Sequence, residues 1–168
     1  MTRTAKHLAR DRNGTAAVEM ALCLPLLLAL MFGSVELGNY FLSEHVVQKA
    51  VRDASRFAAR LPLTDYPSCT VPSGGTAEQQ VKNVARTGDP AGTTARLRDW
   101  ADGDTTVTIT CDNASSYGTA GIYKDFPDGA PVITVSATVP YNSFFGMLGL
   151  GAATLNLNAK SQAAVIGA

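Results

Sequence analysis

From Arg12 to Ser34 the chain reads RNGTAAVEMALCLPLLLALMFGS, and between Ala16 and Val35 it holds a single charged side chain, Glu19. As a helix this run would be about 30 Å long, the thickness of the hydrocarbon core of a bilayer, so it reads as one membrane span. Ahead of it stand Arg3, Lys6, Arg10 and Arg12 against one acid, Asp11. Positive charge beside a span keeps that end in the cytoplasm, which would place everything after Glu36 outside. A secretory signal peptide would share the basic start, but its small-residue cleavage site should follow the apolar run, and Met31 to Glu36 offers no Ala-x-Ala. A plain anchor would explain the hydropathy and leave Glu19 without a reason. A carboxylate inside a span costs roughly 2.5–3.5 kcal/mol and marks a functional position.

Gly14 lies at the border between the basic leader and the apolar run, and Glu19 is the fifth residue beyond it. The stretch GTAAVEMALCLPLLLAL resembles the class III signal of type IV prepilins, in which glycine precedes the cut and glutamate is the fifth mature residue. More narrowly, Gly14 to about Arg60 resembles the TadE-like family of pseudopilins, minor components of tight-adherence (Flp) pilus systems, although Met20 stands where the best-known members carry Phe or Tyr. The resemblance implies cleavage between Gly14 and Thr15 by a prepilin peptidase and an assembly role for Glu19. It also implies partnership with the major Flp pilin, sister pseudopilins and the inner-membrane assembly platform. The implied fold is the pilin-like lollipop: an α+β chain in which a long N-terminal membrane-spanning helix packs on a small antiparallel sheet.

Working outward, the helical pattern continues past the span. Val47, Ala50, Val51, Ala54, Phe57, Ala58 and Leu61 recur at three- and four-residue steps, with Glu44, Gln48, Lys49, Arg52, Asp53 and Arg56 between them. One helix from Thr15 to Arg60 would be about 69 Å long, ending at Leu61-Pro62. Pro25 removes one hydrogen bond inside it. Ala29-x-x-x-Gly33 and Ser34-x-x-x-Gly38 allow close approach of another helix. The chain thus divides into a leader at 1–14, the helix at 15–61 and an extracytoplasmic domain at 62–168.

In that domain, Pro62 to Gly75 is an irregular connection carrying Cys69. Thr76-Ala-Glu-Gln79 has the form of a capping box opening a short helix to about Arg86. Leu97 and Trp100 suggest another turn or two of helix over 95–101, with Trp100 in the core. Then the period changes to two: Val107, Ile109 and Cys111; Ile133 to Tyr141; and Leu155, Leu157 and Ala159 alternate with polar residues, giving three antiparallel strands covered by the Val47–Leu61 stripe. Phe144 to Gly151 is too apolar for a solvent loop and reads as a core-packing connection, with a contact patch for a neighbour or the membrane as its alternative. In an oxidising compartment Cys69 and Cys111 should form a disulfide, leaving Cys23 free in the bilayer.

Basic and acidic residues number 14 each, but the leader is basic and the remainder mildly acidic, so nothing suggests nucleic acid. No P-loop, Gly-x-Ser-x-Gly or His-Glu-x-x-His occurs. Two histidines, His7 and His45, are too few for a triad or a His-based metal site. Asp102-Gly-Asp104 and Asp125-x-x-Asp128-Gly lack the spacing of a calcium loop and read as turns. No cofactor, metal or enzymatic activity is expected. The reading is a minor pilin of a Flp-type pilus; the alternative is a single-pass anchored binding module that retains its leader.

Overall fold

The computed structural model describes residues 13–71, 74–112, 121–124, 126, 129–147, 149 and 155–167. The basic leader and the Asp125–Asp128 turn fall largely or wholly outside them. Two compact units are present, Met1–Asn39 and Tyr40–Ala168. The α+β class expected from sequence is observed: a long helix, α1 (Asn13–Ala58); two shorter ones, α2 (Thr76–Thr87) and α3 (Phe144–Met147); and strands β1 (Thr105–Asp112), β2 (Ala130–Pro140) and β3 (Asn156–Ala164).

The Leu- and Ala-rich run favours helix strongly enough that α1 passes through Pro25 without a break. The cost is local, because Pro25 has no N–H to give the carbonyl of Ala21. In the first unit the apolar side chains stand outward all round: Val18, Met20, Leu27 and Leu30 are each more than 60% exposed. By length and composition α1 is able to cross a membrane, and among the described residues it alone is. A helix apolar on every side needs an apolar medium, not one packed face.

In the second unit the same helix is one-sided. Val47, Ala50, Val51, Ala54 and Ala58 are fully buried in one core with Val107, Ile133, Val135, Val139 and Leu157 from the three strands. The sheet has β2 at its centre and is antiparallel throughout, with Val107 opposite Val135, Ile109 opposite Ile133 and Val139 opposite Leu157. Within the buried stripe sits one hydroxyl, Ser55, which donates to the Arg52 carbonyl at 2.9 Å and meets the Ser161 hydroxyl of β3 at 2.9 Å. The hydroxyl pair links the helix to β3 inside an otherwise apolar contact, a specific bond that a slipped register would lose.

α1 ends at Ala58, three residues before the expected Leu61. The last turn tightens instead of continuing: Arg60 N–H donates to Phe57 O and Leu61 N–H to Ala58 O. The buried Tyr66 hydroxyl then donates to Ala58 O at 2.7 Å, and Ile166 N–H donates to Ala59 O at 2.9 Å. The carbonyls freed at the helix end are thus satisfied by Tyr66, eight residues on, and by Ile166, far along the chain. Burial, reinforced by the charge of Asp65, pushes the Tyr66 phenol far above its ordinary value.

Two local expectations are corrected. Thr76 is not the cap of α2; Gly75 holds that position, with no side-chain cap. In its place the Glu78 carboxylate pairs with Lys82 at 2.7 Å and accepts from Gly74 N–H at 2.6 Å, and together these lower the Glu78 pKa. Residues 95–101 form bends and a turn, not a helix. Arg96 N–H is taken by the Arg86 carbonyl of α2 at 2.8 Å, and Asp99 adopts a left-handed backbone (φ 63°). Seven residues are too few to repay helix nucleation against such a competing partner. Trp100 is nevertheless core, 2% exposed, with its indole N–H donating to Thr105 Oγ1 at 3.0 Å.

Candidate processing and assembly site

The sequence singles out two groups of residues, and they fall in different units. Gly14, Thr15 and Glu19 lie in the first turns of α1 and are exposed. Thr15 and Glu19 are four apart, one helical turn, and so share a face. A methyl group built on Gly14 would meet no atom within 4 Å. Nothing in the described fold therefore requires glycine there.

Cys69 and Cys111 are brought together in the second unit: they form a disulfide with Cα atoms 6.0 Å apart and a sequence separation of 42. It ties the connection after α1 to the end of β1. Cys69 and its neighbour Ser68 both take left-handed backbone (φ 55° and 50°), which costs non-glycine residues roughly 1–2 kcal/mol each. Cys23, exposed on α1, is free.

Elsewhere the surface offers little chemistry. No group of three His, Cys, Asp or Glu side chains that could hold a metal occurs among the described residues. A groove of about 170 Å³ runs between Gln48 and Arg52 of α1 and Asn158, Ala159 and Lys160 of β3; it is polar and open. The Asp102–Asp104 turn is explained by its own bonding, since the Asp104 carboxylate accepts from Ala101 N–H at 2.7 Å and Asp104 N–H donates back to Ala101 O.

The long helix that carries the first group is the part of the chain that a comparison with protein families matches. Residues 14–56 match the TadE-like protein family. The TadE-like match covers 43 of the 168 residues, beginning at Gly14 and ending two residues before the end of α1. Its boundary falls at the predicted cut and leaves the sheet outside. A TadE-like segment implies association with Tad pilus machinery. Neither a curated protein nor a solved structure matches the chain.

One group that sequence reasoning left unassigned also emerges. Tyr40, at the start of the second unit, stacks edge-on against Phe41 and against Tyr141, the latter with ring centroids 5.2 Å apart. The signal for it was the aromatic pair closing the apolar run, but the partner at Tyr141 lies about a hundred residues away and no periodicity links the two.

Proposed function

We propose that this TadE-like chain is a minor pilin: a membrane-inserted precursor, cut between Gly14 and Thr15 by a prepilin peptidase, that takes part in assembling a Flp-type pilus used in adherence. The observation that carries the reading is the family match starting at Gly14, with Glu19 five residues on in an otherwise uncharged run. The basic leader supports a cytoplasmic N-terminus. The Cys69–Cys111 bond supports an oxidising, extracytoplasmic location for the second unit. Its partners are the peptidase, the major pilin, sister pseudopilins and the inner-membrane platform, and its role is structural, not enzymatic.

The division of labour follows from chemistry. The peptidase needs a residue without a side chain before the scissile bond, which Gly14 supplies. Cutting creates an ammonium on Thr15 one turn from Glu19. In a fibre both groups are buried among packed helices, where an unpaired charge costs several kcal/mol. Pairing a neighbour's Thr15 amine with Glu19 offsets that cost and sets the axial register between subunits.

The test is the N-terminus of the protein taken from its native membrane. Mass spectrometry should find Thr15 first in cells containing the peptidase, and Gly14→Val should leave the leader attached. An intact leader on the unaltered protein would instead favour the anchored binding module.

A further inference from the structure

β3 is an outer strand of the sheet, and its free edge carries unpaired backbone groups. Val165 N–H donates to Pro131 O and Tyr141 N–H to Leu155 O, both at 2.9 Å, at the two ends of an unbroken register in which Val132 faces Ala164 and Pro140 faces Asn156. Bonded and non-bonded positions alternate in an antiparallel pair, so the odd-numbered residues of β3 bond to β2 and the even-numbered ones turn N–H and C=O away from it. For Asn158, Lys160 and Gln162 those groups meet no partner among the described residues. A lone carbonyl next to β3 is by contrast provided for: Pro131 has no N–H to give Val165 O, and the Tyr123 hydroxyl donates to it at 2.7 Å. The opposite outer strand, β1, has α2 and the connection bearing Cys69 packed against it.

An open edge is a template for another extended chain, and the charge around this one says which. The groove between α1 and β3 runs along it, with Asn158, Ala159 and Lys160 on one wall and Gln48 and Arg52 on the other. Arg52 and Lys160 are exposed and make no ion pair among the described residues, and Lys49 and Arg56 stand one turn to either side of Arg52. The two acids on this part of α1 have partners of their own: Glu44 accepts from Gln48 at 3.1 Å, and Asp53 lies 3.9 Å from Arg96. Across the sheet Lys160 faces Ser136. Two copies of this edge would bring like charges together, which disfavours self-pairing. We propose that β3 takes up an acidic segment of a partner protein, in extended conformation, as a fourth strand. Its backbone would pair with Asn158, Lys160 and Gln162. Because side chains alternate across a strand, carboxylates on one face would meet Arg52 of α1 and those on the other Lys160.

The test uses the full chain in micelles of an uncharged detergent, with a capped peptide of alternating threonine and glutamate as long as β3, 9 residues, as the probe. Amide hydrogen exchange is followed residue by residue by NMR. In the free chain Leu157, Ala159 and Ser161 should be protected while Asn158, Lys160 and Gln162 exchange fast, and excess peptide should slow the latter group several-fold. Glutamine in place of every glutamate, or Arg52→Gln together with Lys160→Gln in the protein, should weaken binding several-fold. An unchanged exchange pattern in a large excess of the acidic peptide overturns the proposal. Equal affinity for the glutamine peptide refutes an acidic partner and overturns it too. Protection of Asn158, Lys160 and Gln162 in the free chain would mean that the edge is already paired. Sedimentation would then tell a second copy from a segment of the same chain, and either result is fatal to the proposal. The site lies wholly within the second unit, so none of these outcomes bears on cleavage at Gly14.

Discussion

The two halves of α1 obey opposite rules with one backbone. From Val18 to Leu37 large apolar side chains are exposed on every side, and from Val47 to Ala58 they form a stripe buried against a sheet. The first half carries its information in two small deviations, a glycine that no packing demands and a carboxylate that hydropathy forbids. The second carries it in complementarity, where alanines, valines and one serine match a specific partner. Function should therefore be sensitive to change in the first half and stability to change in the second.

The largest effect should come from Glu19→Ala. Insertion and cleavage should be normal, while the processed subunit is missing from sheared pilus fractions and piliation collapses; unfolding of the second unit, followed through the fluorescence of Trp100, should not move. Wild-type levels of piliation would break the comparison at its first term. Next comes the disulfide. Replacing Cys69 and Cys111 together by alanine should destabilise the second unit by about 4 kcal/mol in the chain-entropy model, less the strain released at Ser68 and Cys69. Denaturant titration of the full chain in detergent measures this.

A matched pair sharpens the contrast. Val51→Ala, in the buried stripe, should cost about 2 kcal/mol of that same transition, whereas Val18→Ala, exposed on the first half, should leave it unchanged. Equal effects would mean that the two halves are not energetically distinct. The smallest effect concerns the end of the helix. Tyr66→Phe removes the donor to Ala58 O and should cost about 1 kcal/mol. Because burial raises the folded-state pKa of Tyr66, the neutral phenol's contribution is complete below its ordinary value of about 10 and falls away as pH rises beyond it. The wild type should accordingly lose stability more steeply than Tyr66→Phe in alkali.

Much of this was legible in the chain because it is periodic. The three- and four-residue steps of Val47 to Ala58 and the alternation of Val107, Ile133 and Leu157 are one-dimensional signals of burial, and they named both the cover and the sheet. Gly14 and Glu19 stand out for the opposite reason, as breaks in a monotonous run. What escaped was settled by contacts distant in sequence. Ser55 stands within the buried stripe, and its partner Ser161 lies on a strand about a hundred residues away that no periodicity links to it. Residues 95–101 had helical spacing, but the Arg86 carbonyl claimed the Arg96 N–H first. The cap of α2 moved to Gly75 because Glu78 could satisfy the entering backbone from inside the helix.

The cross-link from Cys69 to Cys111 has a mechanical meaning as well. As a fibre subunit, the role proposed above, the chain would bear tension, and a chain drawn out from its two ends lengthens by releasing contour. The 42 residue steps between the cysteines lie inside a closed ring. At about 3.3–3.6 Å per residue they would otherwise release roughly 140 Å. With the bond intact that length is withheld, so a subunit forced open under load extends only through the segments outside the ring, and β1, which lies inside it except for its last residue, is kept from being drawn away from the foot of the long helix.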